Sequence, residues 1–375
     1  MRSLGDFDCD VLVVGLGPAG ASAAIAAARA GCRVLAVERN AKPGLPVQCA
    51  EFVPQMIGGD VPEAGRARVQ TIGEMATYVN DAPADITPDF RGYMIDRAGF
   101  DQVLVAQAQA AGASCRFATP LRGIDARGVV MLADGQMLGA RVIIGADGPS
   151  SPVGRAIGCP NTDLAETRQI SVDLLQPHEA TDIFLRADYV GGYAWLFPKV
   201  GECNLGLGVV PAQKHRLKPL LAALHAELIA ARRVGARILR TTGGLIPVGG
   251  IVGLQGALGQ TAVLLAGDAA GLTNPVTGAG IASAVASGRL AGEAAAAICA
   301  GQSDAAEGYA DEIEAMYGRS LALALRRRRD LLAAPPSPQS LRDGWIAYPQ
   351  YWAQPSAGRS LRIPDTMTAK ARATP

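Results

Sequence analysis

The sequence has few charged residues and almost no net charge. Charged side chains make up 18% of its 375 residues, and 35 basic against 34 acidic residues leave a formal net charge of +1. A balance this even gives no general attraction to nucleic acid or to an anionic membrane. We therefore expect no nucleic-acid partner.

The sequence also lacks cysteines at metal-binding or redox spacings, and it lacks long uninterrupted apolar runs. The seven cysteines are scattered, with no C-x-x-C pair and no zinc-ligand spacing, so no metal site is predicted. Such a set is typical of reduced thiols in a cytoplasmic protein. No basic segment precedes an apolar one at the N-terminus, so we expect no signal peptide. Charged residues and a proline interrupt the longest apolar stretch, residues 262–300, which argues against a membrane span.

Apolar residues and glycine are abundant. Hydrophobic residues make up 49% of the chain, and there are 45 glycines. A chain of this length and composition can bury a large core in two domains or in one elaborated domain. Disorder is therefore not the default expectation.

Residues 11–38 form the most informative stretch. The β-branched run 11–14 predicts a buried parallel strand, which a G-x-G-x-x-G turn, a helix of small residues and a second apolar run at 34–37 follow. In such a unit the first glycine allows a tight turn, the second lets the backbone approach a pyrophosphate, and the third lets the helix pack closely. The alternative is a Gly-rich turn that binds nothing. We predict a dinucleotide site with contacts from Gly15, Gly17, Pro18, Ala19, Gly20, Glu38 and Arg39.

Two further buried strands end in similar loops. Residues 141–144 run into Asp147, and residues 262–266 run into a second Gly-rich loop and a long Ala-rich helix. Ligands bind at the carboxyl edge of α/β sheets, and a helix N-terminus offers N–H groups to an anion. The candidate cofactor residues here are Asp147, Gly267, Asp268, Gly278, Ala279, Gly280 and Ile281.

The intervening segments hold three residues of interest. Prolines and glycines predict loop and short helix over residues 39–75, which contain Cys49 and Glu51. Both residues follow the first βαβ unit closely and can fold back beside a cofactor, although a free cysteine is most often a small buried hydrophobe. Arg97 precedes a predicted helix and can reach a phosphate, or it is an ordinary surface arginine.

Residues 168–208 alternate polar and apolar side chains, which predicts an antiparallel sheet rather than further βαβ units. Tyr193, Trp195 and Phe197 stand at every second position and so share one face of a strand. That face is plain core, or the aromatic wall of an apolar pocket, or both. Pro247, in a later Gly-rich extended stretch, is a further pocket candidate.

Residues 307–332 have helical periodicity and end in four arginines, 326–329. These arginines suit a helix C-terminus and solvent better than membrane headgroups. The remaining tail, 333–375, holds two of the three tryptophans, so we expect it to pack on the body or on a partner.

The three strand-end loops, in this order and spacing, resemble the flavin-binding fold of the aromatic-hydroxylase type over about residues 9–300. In that group the first motif holds the ADP part of FAD and the late Gly-Asp motif contacts the ribityl chain. Within the group the chain most resembles the geranylgeranyl reductase family. The matches are Cys49-Ala-Glu51, Arg97-x-x-Phe100-Asp101-x-x-Leu104, Tyr193-x-Trp195-x-Phe197-Pro198 and Asn204-Leu-Gly-Leu-Gly208. Val190 stands where the family signature usually has proline, and the C-terminal region is short.

The resemblance implies FAD as cofactor, NAD(P)H or a reduced carrier as electron donor, and reduction of isoprenoid double bonds. It implies that Tyr193, Trp195, Phe197 and Pro198 line a prenyl pocket and that Cys49 lies over the flavin. An alkene needs a proton as well as a hydride, and a thiol with an ordinary pKa near ~8.5 is mostly protonated at neutral pH. Cys49 is therefore the candidate acid and Glu51 a weaker one.

Two alternatives stay open. One is an FAD- and NAD(P)H-dependent monooxygenase acting on an aromatic or lipid substrate. The other is a flavin electron carrier that docks to a quinone or a protein partner through the tail and the arginines. We further expect an apolar prenyl or aromatic substrate, a cytoplasmic location and a peripheral membrane contact. The sequence does not fix the oligomeric state.

The expected fold class is α/β, with an FAD-binding Rossmann-like parallel sheet and an inserted antiparallel substrate domain. We expect residues 1–75, 97–160 and 257–332 to bind FAD. Residues 76–96 and 161–256 are expected to bind the substrate, and residues 333–375 to form the aromatic tail.

Overall fold

The structure is a computed structural model that describes residues 7–55, 65–333 and 335–353. The start of the N-terminal segment, the turn residues Gly58 and Gly59, and tail residues 354–375 lie outside the described part.

The strands are β1 Cys9–Val14, β2 Val34–Val37, β3 Phe52–Pro54, β4 Arg68–Ile72, β5 Glu74–Val79, β6 Asp85–Thr87, β7 Gly92–Ile95, β8 Ser114–Arg116, β9 Leu121–Ile124, β10 Val130–Leu132, β11 Met137–Leu138, β12 Ala140–Gly145, β13 Leu164–Leu174, β14 Ala180–Leu185, β15 Ala194–Lys199, β16 Glu202–Val209, β17 Val234–Pro247, β18 Gln255–Leu258 and β19 Thr261–Leu265. The helices are α1 Pro18–Arg29, α2 Arg97–Ala110, α3 Pro152–Ala156, α4 Leu217–Ala230, α5 Ile281–Cys299, α6 Ala305–Ile313, α7 Arg319–Ala333, α8 Pro338–Asp343 and α9 Pro349–Trp352.

A parallel sheet in the order β18-β19-β12-β1-β2-β8 forms the centre of the molecule. Its strand pairs are parallel except for the β18–β19 hairpin. The β1, β2 and β12 strands are apolar and almost wholly buried, as strands covered on both faces must be. Because β1, β12 and β19 are neighbours, their three following loops meet at one edge of the sheet.

Helices α1 and α5 pack side by side with their N-termini toward that edge. A Cβ on Gly288 would lie 2.0 Å from the Ala19 carbonyl oxygen, and one on Gly292 would lie 2.4 Å from that of Ala23. Glycine at these two positions lets the backbones approach more closely than any side chain would allow. The paired contacts also show that the helices run parallel, so both positive dipole ends face the same cleft.

A second sheet of seven strands, in the order β17-β13-β16-β15-β14-β5-β6, covers the cleft. Its pairs are antiparallel except for β14–β5. Leucines of α4 pack with this sheet in a core of their own. The α/β fold with a separate, largely antiparallel sheet is thus confirmed.

One expectation for local structure was wrong. Residues 39–75 contain the strands β3 and β4, which pair with β7 in a small antiparallel sheet. These pairings join segments far apart in the sequence, so local proline and glycine signals do not reveal them. The predicted helix over 307–332 is confirmed: helical structure runs from Ala305 to Ala333, with a π turn at Glu314–Gly318 between α6 and α7.

The tail packs on the body over residues 335–353. Trp345 and Tyr351 are buried, and the Trp345 ring centroid lies 4.7 Å from that of Tyr193. Arg327 donates to the carbonyl oxygens of Tyr351 at 2.9 Å, Gln350 at 2.6 Å and Ala353 at 2.7 Å. Arg328 is buried beneath the tail. The expectation that the four arginines face solvent is therefore wrong for these two.

Candidate functional site

A cavity of about 680 Å³ lies between the edge of the parallel sheet and the face of the seven-stranded sheet. The loops after β1, β12 and β19 line one side of it, and residues of β13, β15 and β17 line the other. Its volume is in the range of sites that hold drug-sized ligands and cofactors.

The glycines of the first motif are needed for two different reasons: close packing within the protein and space for a ligand. Gly15 has φ +95°, and a Cβ there would lie 2.3 Å from the Ala146 carbonyl oxygen. A Cβ on Gly20 would lie 1.8 Å from the carbonyl oxygen of Gly15. At Gly17, by contrast, a Cβ would meet no protein atom within 4 Å. The protein itself thus requires Gly15 and Gly20, whereas Gly17 leaves room for a ligand in the cleft.

Helix α1 begins beside this space with Pro18 in its first turn and no side chain capping its N-terminus. The backbone N–H groups of that turn have no partner within the helix. A pyrophosphate would satisfy them, so the motif fits the ADP half of FAD.

Glu38 lies at the end of β2 next to the motif. One carboxylate oxygen accepts the Leu16 N–H at 2.9 Å, and the other accepts the Asn40 N–H at 2.9 Å. These two bonds hold the carboxylate at the cavity wall with further lone pairs able to accept ribose hydroxyls. Arg39 is exposed and also lines the cavity.

Asp147 and Asp268 both line the cavity at strand ends. Asp147 accepts from the Ser151 hydroxyl and, at 3.1 Å, from the Val153 N–H, so it shapes its own turn. Asp268 accepts from the Thr273 hydroxyl at 2.6 Å. Burial raises the pKa of both carboxyls, and these hydrogen bonds oppose that shift.

The loop before α5 is organised by Asn274, a residue that sequence reasoning missed. Its side-chain oxygen accepts the N–H groups of Val276 and Thr277 at 3.0 Å each. An Asn-Pro dipeptide favours this type of turn and was the available signal. The turn delivers Gly278 and Gly280 to the uncapped start of α5, where Ile281 also lines the cavity. Gly267 and Ala279 lie in the same loops but do not line the cavity in the described structure.

Cys49 lies in a loop that is fastened to the seven-stranded sheet. Gln169 donates to the Cys49 carbonyl oxygen at 3.1 Å and accepts from the Trp195 indole N–H at 3.0 Å. Thr242 donates to the Val47 carbonyl oxygen at 2.7 Å. The structure therefore brings Cys49 and Trp195 to the same cavity through one glutamine, which no local pattern identified.

Arg97 lies beside Cys49 at the cavity wall and forms an ion pair with Asp101 at 2.8 Å. Burial disfavours its charge, but the Asp101 carboxylate and the Cys49 side chain raise the pKa of the guanidinium above its ordinary value. Arg97 is thus a fixed cation next to the thiol, already paired with a carboxylate.

Glu51 is buried and surrounded by donors. Its carboxylate accepts from Lys199 Nζ at 2.8 and 2.9 Å, from Asn204 Nδ2 at 2.9 Å and from the Arg97 backbone N–H at 3.0 Å. Both carboxylate oxygens are therefore occupied by donors. These contacts favour a positioning role for Glu51 in the Cys49 loop over the expected role as a proton donor. Lys199 and Asn204 were not among the predicted site residues.

The aromatic strand is only partly exposed to the cavity. Tyr193 and Trp195 line it, with ring centroids 5.7 Å apart. The Tyr193 hydroxyl donates to the Thr277 carbonyl oxygen at 2.6 Å and so joins the strand to the loop before α5. Phe197 packs against Phe52 at 5.7 Å behind this surface. In the described structure Phe197, Pro198 and Pro247 are not part of the cavity lining.

The described residues contain no group of three or more His, Cys, Asp or Glu placed to hold a metal ion. Across this same part of the chain, no helix has both the length and the apolar character needed to cross a bilayer.

Comparison with known proteins agrees with this geometry. The family model described as "FAD dependent oxidoreductase" matches residues 10–46. A digeranylgeranylglycerophospholipid reductase of Methanopyrus kandleri is 33% identical over 349 residues, covering 84% of this chain and 85% of the relative. One from Methanocaldococcus jannaschii is 32% identical over 310 residues, covering 79% and 78%.

A solved structure from Thermoplasma acidophilum, described as geranylgeranyl bacteriochlorophyll reductase-like, superposes with a TM-score of 0.79 at 25% identity. The match covers 89% of each chain. The glycine motif with room at Gly17, the two uncapped helix ends and these relatives agree on the cofactor and the chemistry. The protein belongs to the geranylgeranyl reductase family of FAD-dependent oxidoreductases.

Proposed function

We propose that this chain reduces carbon–carbon double bonds of a geranylgeranyl-type isoprenoid chain. The observation that carries the proposal is the Gln169 bridge, which holds the Cys49 loop against Trp195 at the wall of the large cavity. The proposal is supported by the relatives, whose names describe reductases of digeranylgeranylglycerophospholipid.

In this proposal residues 1–75, 97–160 and 257–332 hold FAD. Residues 76–96 and 161–256 contact the substrate, and residues 333–375 form a separate tail. Helix α1 and Glu38 would hold the ADP half, and the N-terminus of α5 would hold the flavin end. The residues proposed to hold FAD are Gly15, Gly17, Pro18, Ala19, Gly20, Glu38, Arg39, Arg97, Asp147, Gly267, Asp268, Gly278, Ala279, Gly280 and Ile281. When bound and reduced, FAD supplies a hydride to one carbon of the double bond, and the N-terminus of α5 favours the negative charge of the reduced cofactor.

Cys49 is the proposed acid for the other carbon. As the hydride bonds to the first carbon, the π electrons of the alkene form a bond from the second carbon to the thiol proton. The thiolate left behind is stabilised by the guanidinium of Arg97 and regains its proton from water. Glu51 positions this loop through Lys199, Asn204 and the Arg97 backbone.

Tyr193 and Trp195 are proposed to contact the isoprenoid, since both rings line the cavity. Phe197 and Pro198 then support this wall from behind, and Pro247 ends the strand that closes it. NAD(P)H or a reduced carrier is the proposed electron donor. The lipid is proposed to enter from a membrane that the protein contacts peripherally.

A reduction assay without oxygen tests the proposal. FAD-loaded enzyme is reduced with dithionite under nitrogen and mixed with a geranylgeranylated glycerophospholipid, and the products are analysed by mass. We expect each product to gain two hydrogen atoms per reduced double bond. Product that forms only in air and gains an oxygen atom would establish the monooxygenase instead.

The role of Cys49 is tested in the same assay. Cys49→Ala is expected to lower the product-forming rate by at least about 100-fold, as loss of a general acid does. Cys115→Ala, in β8 away from the cavity, is the matched control and should keep the wild-type rate. An undiminished rate in Cys49→Ala would show that another group supplies the proton.

A further inference from the structure

A smaller chamber of about 120 Å³ opens beside the large cavity, under the C-terminal tail. The two spaces share the lining residues Gly191, Gly192, Tyr193, Val276 and Arg328. The two spaces therefore adjoin. A water molecule takes up about 30 Å³ of liquid volume, so the chamber has room for a group the size of a phosphate.

The chamber wall contains buried hydrogen-bond donors that no protein atom satisfies. Arg328 is 5% exposed, and its Nε and Nη2 atoms have no partner among the described residues. Its Nη1 donates to the Gly191 carbonyl oxygen. Trp345 is 3% exposed, and its indole N–H has no partner either. The Nε atom of Arg186 is a third such donor.

The described lining of the chamber also contains no carboxylate. Apart from two arginines, two tyrosines and Trp345, its described lining residues are apolar or glycine. Arg328 has two N–H groups without a hydrogen-bond partner among the described residues. Burial lowers its pKa, and the charge of Asp163, which does not line the chamber, opposes that shift. Leaving a guanidinium buried and unpaired is costly, and replacing such a group by a neutral one is often stabilising. A residue with this cost is better explained by a ligand than by the fold.

We propose that this chamber binds the phosphate or diphosphate head group of the prenyl substrate, with Arg328 and the Trp345 N–H as its donors. Guanidinium groups are well suited to phosphate because several N–H donors lie in one plane. The prenyl chain then passes Tyr193 into the large cavity toward Cys49. This inference rests on the proposed function, because it assigns the head-group end of the same substrate.

Binding to the resting, FAD-loaded enzyme tests the proposal without turnover. The ligands are geranylgeranyl diphosphate, inorganic pyrophosphate and the uncharged alcohol geranylgeraniol, and the variants are Arg328→Gln, Trp345→Phe and Arg329→Gln. Arg329 is exposed on the same helix and is the matched control. We expect Arg328→Gln to weaken both anionic ligands by about 10- to 100-fold, since hydrogen bonds to charged groups have this strength. Trp345→Phe should weaken them by a smaller factor. Geranylgeraniol should bind all variants equally.

Thermal melting separates a ligand site from a structural role. Without added ligand, Arg328→Gln should melt at the wild-type temperature or above, because it removes an unpaired buried charge. A large drop in Tm, or equal losses for the diphosphate and the alcohol, would overturn the head-group assignment.

The phosphate of a nicotinamide nucleotide is the alternative ligand for the same donors in the chamber. If Arg328→Gln slows reduction of the flavin by NADPH while leaving geranylgeranyl diphosphate binding unchanged, the chamber serves the electron donor and the proposal is overturned. The proposed function fails separately, when dithionite-reduced wild-type enzyme does not reduce a geranylgeranylated glycerophospholipid. That result leaves the binding measurements intact.

Discussion

Replacing Gly17 with alanine should separate cofactor binding from folding. A Cβ at this position meets no protein atom within 4 Å, and the backbone there is extended, with φ −72° and ψ −170°. Alanine adopts this conformation freely. The variant should therefore fold like the wild type and fail only where the cofactor would lie.

The expected magnitudes follow from these contacts. Alanine is a poorer helix N-cap than glycine, which lowers the stability of the folded protein by up to about 1 kcal/mol. Alanine also reduces the conformational entropy of the unfolded chain, which raises the stability by about 0.4–1 kcal/mol. The stability of the apoprotein should then change by less than about 1 kcal/mol. In the holoprotein the methyl group pushes the pyrophosphate off the first-turn N–H groups. Each lost bond to a charged group costs about 1.5–3 kcal/mol, so the Kd for FAD should rise about 10- to 100-fold.

The assay combines urea unfolding of the apoprotein with FAD titration by flavin fluorescence. Gly20→Ala is the matched control, because its Cβ would lie 1.8 Å from the Gly15 carbonyl oxygen and should destabilise the apoprotein itself. The reasoning is refuted if Gly17→Ala binds FAD as tightly as the wild type, or if its apoprotein loses as much stability as Gly20→Ala.

Three further changes have defined outcomes. Lys199→Met leaves the buried Glu51 carboxylate without its cation, so the free energy of unfolding measured in urea should fall by about 3–5 kcal/mol. Adding Glu51→Gln should recover much of this loss, and a double variant whose two effects simply add would contradict the pairing. Gly288→Ala places a methyl group against the Ala19 carbonyl oxygen, so the same measurement should show a loss of about 1–3 kcal/mol, and no loss would contradict the close helix contact. Tyr193→Phe removes the bond to the loop before α5 and should lower stability by about 1 kcal/mol; an unchanged urea midpoint would contradict that bond's contribution.

Local patterns in the sequence predicted the parallel sheet and its three loops well. The strand β1, the glycine turn and Glu38 lie within one continuous unit, so the chemistry of the unit can be read directly from its order. The alternation of Tyr193, Trp195 and Phe197 predicted a shared strand face, and two of the three rings line the cavity.

Contacts between distant segments were not predictable in the same way. Gln169 and Asn204 are buried polar residues of β13 and β16, and their roles depend on a loop more than 100 residues earlier in the chain. Arg328 shows the limit most clearly. In the sequence it is one of four equivalent arginines, whereas in the structure Arg328 is buried and its neighbour Arg329 is exposed.

The central claim is that the flavin passes a hydride to an isoprenoid double bond. It is tested most directly by a single turnover under nitrogen, in which dithionite-reduced enzyme, freed of excess reductant, is mixed with a geranylgeranyl lipid while flavin absorbance is followed. The account predicts that the oxidised flavin spectrum returns without oxygen, with one double bond reduced per flavin. A flavin that stays reduced until air is admitted would contradict it.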